Sequence, residues 1–302
     1  MNLILDGRAI AARIRENVKE CVAHMTTAPG LAVILVGDDP ASHLYVSLKQ
    51  RACEAAGIRF ELFLYPAGEP EESILATIDK LNSRGDVTGI LVQLPLPTQN
   101  ANRVIARIHP NKDVDGFHKE NLRALADDRP GIVSALALGI VTLVDEGFIA
   151  TSVASRQDGT SGRAGSASGG KVPGKKAAIV GSTLFAEPLR HLLAERNIVA
   201  DRVDPNDADL AGKTKDADVL IVAVGRPGLI TDKHVKPGAI VIDVGTTKVD
   251  DKVVGDVDAE SVGPVAGARS PVPGGVGPMT VAMLLTNILK AHELQHEKKT
   301  SS

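Results

Sequence analysis

Apolar positions along the first 125 residues switch repeatedly between the four-residue step of a helix and the continuous runs of buried strands. Ile10, Ile14 and Val18 recur at every fourth position from a start near Asp6, which predicts an amphipathic helix. The run LAVILVG (31–37) is apolar throughout and ends in glycine, as a strand buried on both faces does. A helix over 42–57 follows, with Ser42 as its N-cap and Gly57 as its stop. RFELFLY (59–65) is a second strand, and Ile74, Leu75, Ile78 and Leu81 mark the next helix. TGILVQLPLP (88–97) is a third strand, ended by prolines that cannot continue a ladder. This alternation predicts a mostly parallel sheet with helices on both faces.

The pattern breaks at 151–170, where Ser, Gly, Ala and Thr fill 15 of 20 positions and predict a flexible insertion. Beyond it, KKAAIVGS (175–182) is a buried strand turning into a helix around Pro188 to Leu193. ADVLIVAVGRPG (217–228) and GAIVIDVG (238–245) are further strands, so a second doubly wound unit occupies about 172–275. The stretch 280–299 carries an apolar stripe and then turns polar, a long helix with a solvated end.

Composition narrows the function. A chain of 302 residues suits two domains, and 43% hydrophobic with 24% charged residues supports a buried core. Lys and Arg total 34 against 37 Asp and Glu, which leaves no basic excess to hold a nucleic-acid backbone. Aromatic residues are 2% with no Trp, too few for a base-stacking platform. The longest apolar stretch, Ile132 to Val144, is 13 residues, short of a bilayer span. Asp6 and Arg8 interrupt the place where a signal peptide would need its apolar run. Cys21 and Cys53 build neither a disulfide framework nor a four-ligand zinc site, and the histidines show no metal spacing. The expectation is a cytoplasmic chain with no nucleic-acid, membrane or metal partner.

Ligands in open α/β sheets bind beyond the carboxyl ends of the strands. Tyr45 and Lys49, spaced i,i+4, share one face of the helix after the first long strand, and Gln93 ends the third. The loop NKDVDGFH (111–118) adds Asp113, Asp115 and Gly116. A desolvated lysine exchanges protons near neutral pH, a glutamine orients it, a tyrosine ring covers a flat substrate, and a carboxylate accepts paired N–H donors. Taken singly, each has an ordinary reading: a solvated lysine, a core-edge tyrosine, a strand-end glutamine and turn-forming aspartates.

The blocks VGDDPASHLYVSLK (36–49), GILVQLPLP (89–97), KDVDGFH (112–118) and PVPGGVGPMT (271–280) change that balance. Together, in register over about 1–290, they resemble the bifunctional methylenetetrahydrofolate dehydrogenase/methenyltetrahydrofolate cyclohydrolase family. The resemblance implies a homodimer with a cleft between two α/β domains and a C-terminal helix that returns to the first. It divides the chain into a folate-binding catalytic domain, 1–135 with 277–302, and a Rossmann-like nucleotide domain, 136–276. It implies that Tyr45 stacks on the folate, that Lys49 is the main catalytic group, that Gln93 positions and tunes it, and that Asp115 binds the pterin ring. Pro273, Gly274 and Gly275 fall in the segment that closes over the folate. The implied activity is NAD(P)-dependent oxidation of 5,10-methylenetetrahydrofolate to the methenyl form, then hydrolysis to 10-formyltetrahydrofolate.

The nucleotide half departs from the family pattern. Gly181-Ser182-Thr183-Leu184-Phe185-Ala186-Glu187-Pro188 is one residue shorter than the usual G-R-S-x-x-V-G-x-P and lacks its arginine. Ala186 replaces the second glycine, adding a methyl where backbone and phosphate should approach. Asp204-Pro205-Asn206-Asp207 stands where relatives show Cys-His-Ser, and Ser134 to Gly139 replaces P-C-T-P-x-G. Asp204, at 23 residues beyond Gly181, would repel a 2′-phosphate yet accept an unmodified ribose hydroxyl, or simply form the turn before Pro205. Val224-Gly225-Arg226-Pro227 and Asp243-Val244-Gly245 keep the family pattern. Gly181, Ser182, Thr183, Asp204, Gly225 and Gly245 are therefore the expected cofactor-binding residues, for NADP or NAD, with NAD favoured. The competing expectations are a monofunctional cyclohydrolase with a degenerate cofactor domain and a non-catalytic folate-binding protein.

Overall fold

Strands form where apolar residues run without interruption, and helices where they recur at three or four. The computed structural model describes residues 2–157 and 174–296. From the N-terminus the elements are β1 (Leu3–Ile4), α1 (Gly7–Ala23), β2 (Gly30–Val36), α2 (Pro40–Ala55), β3 (Arg59–Tyr65), α3 (Glu71–Ser83) and β4 (Gly89–Val92). Next come α4 (Ala101–Arg107), α5 (Lys119–Ala126) and α6 (Ala135–Gln157). The second half follows with β5 (Lys175–Val180), α7 (Thr183–Ala194), β6 (Ile198–Val203), α8 (Leu210–Thr214), β7 (Val219–Val222) and β8 (Ile240–Asp243). It closes with β9 (Thr247–Val249), β10 (Lys252–Val254), α9 (Ala259–Val262), β11 (Ala268–Arg269) and α10 (Val276–His296).

The chain divides into two units. The first comprises Ala11–Ala135 and Val281–Ser302, the second Met1–Ile10 and Leu136–Thr280. Residues 1–10, expected with the catalytic domain, belong to the second unit, because β1 pairs in parallel with β11, Leu3 opposite Ala268.

In the first unit β2 lies between β3 and β4, all parallel, with Leu31 opposite both Phe60 and Gly89. Every residue of β2 is buried, as a strand covered on both faces requires. Ile34, Ile90 and Val92 pack against Ile74, Ile78 and Leu81 of α3. The α2 helix starts earlier than expected: its cap is Asp39, whose carboxylate accepts from the Ser42 backbone N–H at 2.8 Å, with Pro40 at the first helical position. The end of α10 docks here through Asn287, whose amide donates to the Val114 and Val133 carbonyls at 2.9 and 2.8 Å.

The second unit holds a six-stranded parallel sheet in the order β1-β11-β8-β7-β5-β6. The strand β5 has β6 on one side and β7 on the other, so the strand order reverses at β5, where such sheets bind ligands. The insertion expected over 151–170 begins as helix, since α6 runs to Gln157; the remainder lies outside the described residues. At 23 residues α6 also outruns the 13-residue apolar stretch, and its span Ala135–Ala154 is long and apolar enough to cross a bilayer by length and composition. Within the second unit it serves as a core helix, with Ile140, Val141, Leu143 and Val144 buried and Gly147 against Ile240.

Candidate active site

The buried stripe of α2 reads Ser42, Val46, Lys49, Cys53, a 4-3-4 spacing that puts a lysine where the helix faces its sheet. Lys49 is 8% exposed, and its Nζ donates to Gln93 Oε1 at 2.9 Å. Gln93 follows β4, its backbone N–H donates to the Ile34 carbonyl of β2, and its side-chain amide donates to the Leu94 carbonyl at 2.7 Å. The amide is thus fixed with its oxygen toward Lys49. Desolvation lowers the Lys49 pKa from the usual lysine range, and the negative charge of Asp115 opposes that shift. One turn on, the Cys53 thiol is pushed up to about 12 by burial, which keeps it protonated and inert as a nucleophile.

The two acids of the 112–116 loop have separate tasks. Asp113 is 2% exposed, and its carboxylate accepts from Gly116 N–H at 3.2 Å, His118 N–H at 2.7 Å and the Asn121 amide at 3.0 Å. It closes the loop. Asp115 is partly buried; desolvation raises its carboxyl pKa and Lys49 pulls it down. Gly116 sits at φ +77°, where a Cβ would lie 2.5 Å from the Ser134 nitrogen, so the glycine is required both by conformation and by space. That contact locates the altered 134–139 block: Ser134 backs the loop, and the rest begins α6.

Tyr45 lies on α2 one turn before Lys49 and is 39% exposed. Leu44 and Leu48 beside it are also exposed, 59% and 40%, leaving apolar surface next to a desolvated lysine. Sequence reasoning missed these two leucines, though their place around Tyr45 was a signal. Lys49, Gln93 and Asp115 are therefore brought together in the first unit, with Tyr45 on the same helix as Lys49.

Pro273, Gly274 and Gly275 lie in the second unit just ahead of α10. The Arg8 guanidinium packs against Gly274, where an added Cβ would lie 2.9 Å from Nη1.

The cofactor candidates gather at the carboxyl ends of the second sheet. Gly181 follows β5, and Ser182 caps α7, its hydroxyl accepting from Phe185 N–H at 3.3 Å. Ser182, Thr183 and Leu184 are exposed, so the first-turn N–H groups of a twelve-residue helix face outward. Ala186, expected to crowd a phosphate, is fully buried inside α7, its methyl turned into the protein. Gly225 N–H donates to Asp256 Oδ2 at 3.0 Å and Gly245 N–H to Asp243 Oδ1 at 2.9 Å. Asp256 N–H also donates to Asp243 Oδ1 at 3.0 Å, which links the turns after β7 and β8. Asp204 ends β6 and holds Asn206 N–H and the Arg202 guanidinium, each at 3.0 Å. Arg202, missed in the sequence, is a lone guanidinium in a short strand, two residues before that aspartate. A helix start open to solvent beside a strand-order reversal fits a dinucleotide. Among the described residues no cluster of three or more His, Cys, Asp or Glu suits a metal.

A parallel sheet with a dinucleotide-type turn and a separate lysine–glutamine–aspartate site define a two-unit α/β enzyme that pairs nucleotide chemistry with proton transfer. Comparison with known proteins identifies which. Residues 5–115 match the catalytic domain of tetrahydrofolate dehydrogenase/cyclohydrolase, and residues 166–296 match its NAD(P)-binding domain. The bifunctional protein FolD of Nitratidesulfovibrio vulgaris is 44% identical over 295 residues, 94% of this chain and 95% of that protein. The crystal structure of the bifunctional FolD enzyme from Campylobacter jejuni superposes with a TM-score of 0.86 at 35% identity, covering 98% of this chain and all of that one. The Trypanosoma brucei enzyme, complexed with NADP cofactor and an inhibitor, gives 0.84 at 31% identity, covering 100% and 99%. This chain belongs to the tetrahydrofolate dehydrogenase/cyclohydrolase family.

Proposed function

We propose that the chain oxidises 5,10-methylenetetrahydrofolate with NAD(P) and hydrolyses the methenyl product to 10-formyltetrahydrofolate, with Lys49 as the proton-transfer group. The observation that carries this reading is the desolvated Lys49 held on Gln93 Oε1 at 2.9 Å, with Asp115 as its counter-charge. The methenyl carbon is already electrophilic, so hydrolysis needs water delivered and protons moved, work suited to a lysine whose pKa is lowered by burial. Gln93 aims that lysine. The Asp115 carboxylate accepts the N–H donors of the pterin, and Tyr45 covers the substrate ring. Pro273, Gly274 and Gly275 offer the backbone approach that a flat ligand needs.

The nucleotide, when bound, supplies the hydride acceptor for the oxidation. Gly181, Ser182 and Thr183 would hold its pyrophosphate at the α7 N-terminus. Asp204, Gly225 and Gly245 shape the strand-end turns around it. An intact strand–turn–helix and a match to the NAD(P)-binding domain over residues 166–296 argue against a degenerate cofactor half.

We read the chain as a cytoplasmic homodimer without a membrane or nucleic-acid partner. The buried α6 residues, the near-balanced charge and the exposed Val249 and Val253 on the β9–β10 hairpin support this. Equilibrium sedimentation at twice the chain mass is the expected result. A paired spectrophotometric assay tests the activity: loss of methenyltetrahydrofolate absorbance reports hydrolysis, and oxidation of methylenetetrahydrofolate is followed with each nucleotide. Absence of hydrolysis would overturn the role of Lys49, and absence of oxidation would overturn the use of NAD(P).

A further inference from the structure

At the turn after β6 the Asp204 carboxylate meets the guanidinium of Arg202 from β6, and Arg226 from beyond β7 meets the turn backbone. Asp204 Oδ1 accepts from Asn206 N–H and Oδ2 from Arg202 Nη2, both at 3.0 Å. The same guanidinium donates from Nε to the Gly181 carbonyl at 2.9 Å, so Arg202 ties the β5–α7 turn to the β6 turn. Arg226, beyond β7, donates from Nη2 to the Pro205 carbonyl at 2.7 Å. Asp204 remains about half exposed, 49% at its side chain. Its carboxyl is held below the usual range, first by Asn206 N–H and then by Arg202, so it is ionised near neutral pH.

In a parallel sheet of this topology the pyrophosphate lies at the helix after the first strand, and an acid about 20 residues further on receives the ribose hydroxyls. Asp204 directly follows β6, the neighbour of β5, and is linked through Arg202 to the same Gly181 turn that starts α7. We propose that Asp204, aimed by Arg202, makes this chain select NAD over NADP. The proposal rests on the reading of the second unit as NAD(P)-using.

A carboxylate offers about four lone-pair sites, and one bond at each oxygen leaves room for a ribose 2′-hydroxyl to donate. A 2′-phosphate placed there meets like charge instead. The two guanidiniums at this turn are already partly committed, Arg202 through Nε to Gly181 and Nη2 to Asp204, and Arg226 through Nη2 to Pro205. Arg202 is a positioning residue: it holds the carboxylate at the turn that the nucleotide crosses. The sequence left Asp204 open between a turn former and a ribose acceptor. The geometry lets it be both, because Asn206 and Arg202 occupy one lone pair at each oxygen and leave the others open.

Isothermal titration calorimetry of NAD+ and NADP+ on the full chain tests this without turnover. The expected result is at least tenfold tighter binding of NAD+ to the wild type. Asp204→Asn keeps one acceptor, for Asn206 N–H, but removes the charge and the oxygen that Arg202 uses, and should shift the ratio toward NADP+ by tenfold or more. Arg202→Gln should weaken NAD+ more than NADP+, whereas equal losses for both would reduce Arg202 to a structural support and overturn its positioning role. Equal or tighter binding of NADP+ by the wild type, or an unchanged ratio in Asp204→Asn, would overturn the selection itself. Folded wild type that binds neither nucleotide would overturn the underlying NAD(P) reading, a distinct result.

Discussion

Gln93 Oε1 accepts from Lys49 Nζ at 2.9 Å, and the rest of that carboxamide is anchored to the Leu94 carbonyl. A neutral acceptor holds the ammonium in place without fixing its charge, so burial can still lower its pKa. A carboxylate at the same position would have raised it. The separation of roles, Gln93 for position and Asp115 for charge, sets the first two predictions.

Lys49→Met should abolish hydrolysis of methenyltetrahydrofolate while leaving the fold intact. Methionine fills most of the volume of a lysine stem and removes a charge that burial already penalises. General acid–base catalysis contributes roughly 10²- to 10⁴-fold, so a loss of at least about 10²-fold is expected. Loss of methenyl absorbance, beside an unchanged far-ultraviolet dichroism spectrum and a melting temperature at or above the wild type, checks both halves.

Asp115→Asn should move the pH profile of hydrolysis. The Asp115 charge raises the Lys49 pKa against the larger lowering by desolvation, so its removal lets the lysine pKa fall further. The acid limb, set by the fraction of neutral lysine, therefore shifts to lower pH, and substrate binding weakens as the pterin loses its carboxylate. Rates measured from pH 5 to 9 on both proteins decide it. An acid limb that stays in place would detach Asp115 from Lys49.

Gly116→Ala should destabilise the first unit by at least about 2 kcal/mol, combining the cost of a left-handed φ with the clash. The φ of +77° disfavours any Cβ, and the Ser134 nitrogen 2.5 Å away leaves no room for one. Gly68→Ala, with nothing within 4 Å, should be nearly neutral. Urea denaturation of the two variants gives the contrast.

These sites were unevenly legible in the sequence. β2 and β4 could be read because strands buried on both faces leave unbroken apolar runs. β1 and β11 are two residues each and pair across most of the chain, so no local period records them. The α2 start slipped because Asp39 and Ser42 both suit a cap, and only the structure shows Ser42 donating to Asp39. The short α4 and α5 carry too few turns to establish a stripe. Lys49, Gln93 and Asp115 were singled out by the family resemblance, whereas spacing alone could not separate Asp115 from Asp113, since both fit a turn. Three donors converging on Asp113 make the distinction. The burial of Ala186 was not legible, because sequence gives a residue's place in a motif but not the face of the helix it occupies.

Asp243 should impose a pH dependence on the stability of the second unit. It is 5% exposed, and its carboxyl is raised to about 6, chiefly by desolvation, despite N–H donors from Gly245, Asp256 and Val257. Between about pH 4 and 6 the unfolded chain has lost this proton while the folded one keeps it. The folded state then binds more protons, so stability falls as pH rises through that window and levels off above it. The difference between the ordinary carboxyl value and about 6 corresponds to up to about 3 kcal/mol. Asp243→Asn has no proton to lose, so its unfolding free energy should lack this slope. The asparagine leaves one N–H donor less well matched, which makes the variant less stable near pH 4, with the gap closing toward pH 7. Chemical denaturation at pH 4, 5, 6 and 7 measures that gap directly, and a gap constant across the series would mean that Asp243 titrates alike in the folded and unfolded chains.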